Sequence, residues 1–178
     1  HVPGLKCVCP ATPADAKGLL KTAIRGRDPV IFLESAALYG MKGEVPDDPD
    51  FTVPFGKSRV AREGKDVTSV SYSRMLQLSL AVAAKLSADD GIQCEVIDLR
   101  TLRPLDTNAL LESVRKTRRV VVVDEGWRSG SLSAEIVARI AESALYDLDA
   151  PPARVCSAEV PIPYPKHLED AAVPQPHA

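Results

Sequence analysis

Aromatic side chains are scarce in these 178 residues, at 4%. That argues against a nucleic-acid site built on stacked bases. Neither sign of charge is in excess: 22 basic and 24 acidic residues leave a formal net charge of -2. No global positive field is present to draw in a phosphate backbone, and no run of like charge forms a polybasic tail. Long apolar runs are also missing. The longest, Val120 to Val123, Pro29 to Leu33 and Ala81 to Ala84, fall far short of the roughly 20 residues of a membrane helix. Nucleic acid and membrane are therefore set aside as partners. Histidine is limited to three residues, two of them at the ends, His1 and His177. His167 lies in a proline-rich stretch and is read as loop polarity rather than as a general base. The cysteines Cys7, Cys9, Cys94 and Cys156 lack a zinc-ligand spacing. All four fall in apolar, strand-like runs, which predicts small buried hydrophobes in a reducing compartment.

What is present is a globular balance, with 45% hydrophobic and 26% charged residues. That suits one medium domain, or one domain with a piece of another. The chain opens without Met or a signal-peptide pattern and closes on Pro174-Gln175-Pro176-His177-Ala178, a loop composition with no terminal helix. The expectation is a fragment of a longer protein, or its ordered part.

Leu5 to Cys9 reads as a strand, and Thr12 as the cap of a helix with Pro13 first and Asp15 three residues after the cap. Gly26 ends that helix, and Val30 to Leu33 is a second strand, apolar without alternation and so expected to be buried on both faces. This is one βαβ unit with a parallel pair. From Tyr39 to Phe55 glycines, prolines and acids break the pattern, predicting a stiff linker across the surface. Strands and helices then alternate. Lys57 to Arg62 is an edge strand, followed by strands over 67–72, 92–99, 120–123 and 153–156. Helices are expected over 73–86, 107–116 and 132–145. The spacing predicts a parallel sheet with helices on both faces, an antiparallel edge strand being allowed. Val121 and Val123 are expected to be almost fully buried.

Ligands of such sheets gather beyond the carboxyl ends of the strands. That points to Ser71–Arg74, Asp98–Arg103 and Asp124–Ser131. Arginines in the second could grip an anion; the simpler reading is an Asp98–Arg100 structural pair or a subunit contact. In the third, glycines at a helix start could cradle phosphate, but Asp124 and Glu125 would repel it, and a helix cap and turn is favoured. No Ser/His/Asp set and no convincing carboxylate pair is legible. Spacing alone yields a scaffold without a catalytic centre.

Several strings taken in order carry more. His1-Val2-Pro3-Gly4-Leu5-Lys6, Asp15-Ala16-Lys17-Gly18-Leu19-Leu20, Pro29-Val30-Ile31-Phe32-Leu33-Glu34 and Leu38-Tyr39-Gly40 open the series. Val96-Ile97-Asp98-Leu99-Arg100-Thr101, Pro104-Leu105-Asp106, Leu148-Asp149-Ala150-Pro151 and Val160-Pro161-Ile162-Pro163-Tyr164 continue it. Over nearly all of its length the chain resembles the β subunit of the E1 component of 2-oxo acid dehydrogenase complexes. Leu168-Glu169-Asp170 with Val173-Pro174-Gln175 is most similar to the pyruvate dehydrogenase branch. Lys42-Gly43-Glu44-Val45-Pro46 is more similar to acetoin dehydrogenase or a generic member, and a branched-chain enzyme stays open.

The resemblance implies thiamine-diphosphate-dependent decarboxylation of a 2-oxo acid, with Mg2+, and acyl transfer to a lipoyl arm. It implies a transketolase C-terminal-like parallel sheet preceded by the last βαβ unit of a pyrimidine-binding domain. The expected division is 1–38 for that unit, 39–55 for the linker, 56–165 for the C-terminal domain and 166–178 for a tail. The family's activating glutamate and substrate-side histidine would lie upstream of His1, so no catalytic residue is carried over, and the chain alone is expected to be inactive. A potassium ion is an optional further cofactor, matched by Ala23, Ile24 and Asp28, with Gly26 where an aspartate is usual. Implied partners are the E1 α subunit, a second β subunit and the subunit-binding domain of the E2 acyltransferase. Asp147, Asp149, Glu159, Glu169 and Asp170 are candidates to meet that domain, which is usually basic. The implied compartment is the cytoplasm, or the mitochondrial matrix in a eukaryote. A flavodoxin-like binding module would need an intact first strand and a phosphate loop, and neither is present. Transketolase and deoxyxylulose-phosphate synthase fit the Leu148–Pro151 and Pro161–Tyr164 strings less well. A non-catalytic α/β interaction module is the remaining rival.

Overall fold

The computed structural model describes residues 2–176, arranged as a three-stranded and a five-stranded sheet. His1 and His177 lie outside the described residues. The small sheet begins with β1 (Lys6–Val8), α1 (Pro13–Arg25) and β2 (Val30–Phe32), with β1 and β2 parallel and Lys6 opposite Val30. α1 starts where expected. Thr12 Oγ1 accepts the Asp15 N–H at 3.2 Å and donates to the Asp15 carboxylate at 2.6 Å, so a capping side chain and an acid satisfy the free end of the helix together. The expectation for β2 is corrected: Ile31 is 44% exposed, because Val30 and Phe32 take the face packed on Val8, Leu19 and Val53 and Ile31 points to the opposite face.

The stretch over 39–55 is also more than a linker across the surface. Residues 42–50 are exposed, but Phe51, Val53 and Phe55 alternate inward, and Val53 is buried with Val8 and Leu19. Thr22 Oγ1 donates to the Val53 carbonyl at 2.7 Å, and the Lys17 and Lys21 ammonium groups reach the carbonyls of Pro46 and Pro49. The segment is a strap tied down over α1. Its prolines hide a period-2 apolar pattern at every second residue from 51 to 55. Gly18 makes the approach possible: a Cβ there would sit 2.5 Å from Val53 Cγ2 and 2.9 Å from Phe51 Cε1. In an open helix Gly→Ala stabilises by about 1 kcal/mol. Here overpacking should outweigh that gain, and Gly18→Ala should lower stability by about 1–2 kcal/mol in urea unfolding. A variant more stable than the parent would show that the strap is not pressed against α1.

The remaining elements are β3 (Arg59–Arg62), β4 (Val67–Ser71), α2 (Arg74–Asp89), β5 (Cys94–Asp98), β6 (Thr101–Arg103), α3 (Thr107–Thr117), β7 (Val120–Trp127), α4 (Leu132–Ala144), β8 (Ala153–Ser157) and α5 (Lys166–Ala172). The large sheet has the order β3-β5-β4-β7-β8, parallel except for β3, which runs antiparallel along β5 at the edge. α3 and α4 cover one face. There Val70, Ile97, Leu110, Val122, Ile136 and Ile140 make the main core. α2 lies on the other face, chiefly over β5 and β4, with Ala11 packed beside it. That placement corrects the expectation for Val121, which is only half-buried, whereas Val123 is 9% exposed. Both face an apolar groove between α2 and β7–β8 that Gln175 and Pro176 border.

Two further corrections concern connectivity. β6 was not expected. It pairs antiparallel with β1, Val8 opposite Thr101, so the small sheet borrows its third strand from the C-terminal part of the chain. The tail over 166–178 opens on a helix that was not expected: α5 docks back, Ala158 N–H donates to the Ala172 carbonyl at 2.8 Å, and Ala172 is buried, while residues 173–176 are loop as read.

Candidate functional site

The carboxyl ends of β4, β5 and β7 are where ligand chemistry was expected. The structure fills two of them with the chain's own polar side chains. At the end of β5, Asp98 is fully buried and accepts from Arg59 Nη2 at 3.0 Å. Asp15, projecting from the first turn of α1, is equally buried. It pairs with Arg100 at 2.8 Å and with Arg59 at 3.4 Å. The expected Asp98–Arg100 pair therefore exists only through the backbone, the Arg100 N–H donating to Asp98 Oδ1 at 3.2 Å. The Arg100 side chain goes to α1 instead. Its left-handed φ of 56° turns the chain so that its carbonyl accepts the Cys9 N–H at 2.8 Å. Burial, then the neighbouring Asp15, pushes the Asp98 carboxyl up to about 6, against the pull of Arg59 and Arg100.

At the end of β7, Asp124 is fully buried and accepts three hydrogen bonds: from Tyr72 Oη at 2.7 Å, the Gly126 N–H at 2.8 Å and the Ser133 N–H at 3.0 Å. Burial and the adjacent Asp124 carboxylate push the Tyr72 hydroxyl far above its ordinary value, so it stays a donor. Asp124 thus occupies the start of α4, where a phosphate would have to sit. The Gly126–Ser131 loop is a cap and turn, closed further by Ser129 N–H donating to Glu159 at 2.8 Å and Trp127 Nε1 donating to the Val160 carbonyl at 3.2 Å.

A third buried polar group lies beneath α3. Burial raises Glu95, but hydrogen bonds from Lys116 and from Ser113 at 2.6 Å outweigh it and hold the carboxyl below its usual value. This cluster and Arg59 were not singled out from sequence; Tyr72 fell within the expected Ser71–Arg74 position, and Asp15 was read as a helix-start acid only. The signal available for Asp15 was its place after Thr12, which accounts for a cap and gives no hint of a long-range partner.

The residues implied by resemblance fall as follows. Gly26 N–H donates to the Ala23 carbonyl at 3.2 Å, Ile24 is exposed, and the Asp28 carboxylate pairs with Lys6 at 2.7 Å. The five acids form two groups. Asp147 pairs with Arg115 at 3.1 Å and Asp149 with Arg118 at 2.8 Å, both ahead of β8. Glu159, Glu169 and Asp170 follow β8, the last two beside Lys166. The two groups flank the five-residue strand β8, one ahead of it and one after it. Cys9 and Cys94 are buried and Cys7 and Cys156 half-buried, all four free. Burial pushes the Cys9 thiol up to about 12, so it carries no thiolate chemistry. His167 is exposed on α5.

Comparison with known proteins places these features. The family model for the transketolase C-terminal domain matches residues 56–178, and that for the transketolase pyrimidine-binding domain matches residues 1–42. The chain is 49% identical over 174 residues to the pyruvate dehydrogenase E1 component subunit beta of Rhizobium meliloti, covering 98% of this chain and 38% of that protein. It is 48% identical over 177 residues to the mitochondrial counterpart of Dictyostelium discoideum, with 98% and 49% covered. It is also 48% identical over 174 residues to the acetoin:2,6-dichlorophenolindophenol oxidoreductase subunit beta of Cupriavidus necator, with 98% and 51% covered. The chain thus spans about half the length, or less, of these curated relatives. Among solved structures, a split-gene transketolase, described as an inactive beta4 tetramer, superposes with a TM-score of 0.72 at 30% identity, over 89% of this chain and 50% of that one.

Proposed function

We propose, for a chain that belongs to the transketolase C-terminal domain family, that the whole protein is an E1 β subunit that works with thiamine diphosphate. It would decarboxylate a 2-oxo acid, with pyruvate favoured, and pass the acyl group to a lipoyl arm. The supporting observation is identity of 48–49% across 98% of the chain to pyruvate dehydrogenase E1 β subunits, with the two domain models in the same order. The acetoin relative at 48% keeps acetoin as a second reading. The division at 38, 55 and 165 belongs to this proposal.

The share of these residues is assembly. Among the described residues no group of three or more His, Cys, Asp or Glu is placed to hold a metal, and two of the three strand ends are filled from within. No step of decarboxylation is therefore assigned to them in this reading. The E1 α subunit and a second β subunit complete the enzyme, in the cytoplasm or the mitochondrial matrix. Titration calorimetry of the 178-residue chain with thiamine diphosphate and Mg2+ should give no binding heat. The whole β subunit co-expressed with its α partner should reduce an artificial acceptor with pyruvate. Micromolar binding by the chain alone would place the cofactor's ligands within it, and turnover of acetoin without pyruvate would select the second reading.

Potassium is proposed at Ala23, Ile24 and Asp28. Main-chain oxygens at the helix end and one carboxylate are suitably hard ligands. A cation there competes with Lys6 for Asp28 and Gly26 adds no carboxylate, so a small effect is expected. Melting in potassium chloride should exceed that in choline chloride by about 1–2 °C, equivalent to roughly 0.5 kcal/mol; identical melts remove the site. Docking of the acyltransferase's subunit-binding domain is proposed at Glu159, Glu169 and Asp170, with Asp147 and Asp149 as a separate patch. Reversing charge at Glu169 and Asp170 should slow association several-fold at low salt and flatten its salt dependence. Unchanged association rates would move the contact elsewhere.

A further inference from the structure

Four charged side chains meet where the β1–α1–β2 unit leans on the large sheet. Arg59 lies between two carboxylates, 3.4 Å from Asp15 and 3.0 Å from Asp98, while Arg100 pairs with Asp15 at 2.8 Å. Both carboxylates are shut off from water, at 1% and 0% exposure. We propose that Asp15, Arg59, Asp98 and Arg100 form a proton-operated latch that fastens the β1–α1–β2 unit to the large sheet, and fastens it more firmly at mildly acidic pH than at neutral pH.

Apart from the latch, few polar contacts among the described residues fasten the unit to the C-terminal part of the chain. They are the short β1–β6 pairing, the Cys9 N–H to Arg100 carbonyl bond and Gln77 Nε2 donating to the Ala11 carbonyl at 3.0 Å. Ala11 adds an apolar contact, buried with Leu76, Ala83, Cys94 and Val96, and a unit held by these few contacts can open locally without global unfolding. In the closed state every element packed around Asp98 contributes to its environment. Asp15 faces it from α1, Arg59 from β3 and Arg100 from the turn after β5. Cys9 faces it from the end of β1, its thiol held neutral by burial. Ser71, opposite on β4, brings an uncharged hydroxyl, and Asp124 on β7 acts with Asp98 on the Cys9 thiol. With both carboxylates ionised, their mutual repulsion and the loss of hydration oppose closure. A proton on Asp98 removes the repulsion and that group's own dehydration, outweighing the loss of its ion pair with Arg59, and leaves Asp15 with two guanidinium groups.

The sign follows from linkage. Closed, Asp98 titrates at about 6; opened to water it returns to roughly 3.9. The closed state holds the proton more tightly, so this contribution to closure is fully present below roughly pH 4. It is lost as the pH rises through about 6. Between pH 5 and 7.5 the opening constant should rise about tenfold, from these two values.

Amide hydrogen exchange on the full chain reads this directly. The α1 amides of Leu19 to Thr22 should show an opening constant about tenfold larger at pH 7.5 than at pH 5, after correction for intrinsic rates. The α3 amides of Leu110 to Val114, on the far face of the large sheet, should change less. Asp98→Asn should make the α1 response flat in pH. Should that variant not fold, the 13C shift of the Asp98 carboxyl in the unaltered protein decides, with a midpoint near 6 expected. A midpoint below about 4.5, or an equal change at α1 and α3, overturns the latch.

Discussion

Asp124→Ala should lower the melting temperature by roughly 10 °C, equivalent to about 3–4 kcal/mol for a chain of this size. The carboxylate accepts from Tyr72, Gly126 and Ser133 at 2.7–3.0 Å and is fully buried. Alanine leaves three donors with no acceptor. Each orphaned donor costs about 1–3 kcal/mol, partly offset because a buried charge no longer has to be dehydrated. Asp124→Asn keeps one carbonyl oxygen and should lose about half as much. Tyr72→Phe removes one donor and its hydroxyl together, leaving two satisfied N–H groups, and should cost about 1 kcal/mol. Differential scanning calorimetry on the three variants gives the order. If Asp124→Ala melts within about 2 °C of the parent, water replaces the carboxylate at the start of α4, and the loop is looser than its hydrogen bonds imply.

Local grammar carried most of the fold. Thr12, Asp106 and Gly26 punctuate helices through side-chain and backbone groups within four residues of themselves, and such signals survive in a single sequence. Central strands announce themselves by unbroken apolar runs. The strap escaped notice because three inward residues at alternate positions are too few to stand out among prolines, and the partner that makes them inward, α1, is remote in sequence. β6 escaped because a three-residue strand has no period of its own and is defined by pairing with β1. The ion cluster is the same case in polar form. Asp15, Arg59, Asp98 and Arg100 span 86 positions, and each alone reads as surface charge or as a cap. The resemblance to E1 β subunits needed none of these contacts, since it rested on ordered strings.

The four-valine strand shows where a sequence pattern misleads, and it yields the second large effect. A run without alternation predicts burial on both sides, yet Val120 and Val122 sit in the main core while Val121 is half-buried. The cause lies in the helices: α3 and α4 share one face, and α2 lies on the other, chiefly over β5 and β4. Val122→Asp puts a charge at 0% exposure among Val70, Ile136 and Ile140 with no partner. That costs several kcal/mol and should leave the large sheet unfolded. Val121→Asp puts the same charge beside an apolar groove, where water can reach it, and should cost only about 1–2 kcal/mol. Far-UV circular dichroism should therefore show native-like structure for Val121→Asp and its loss for Val122→Asp, with urea midpoints in the same order. Equal loss in both variants would mean that the groove is closed in solution, either by a change in the packing of α2 or by another chain seated on it. Sedimentation of the parent protein separates those two causes, because only the second requires a complex larger than one chain.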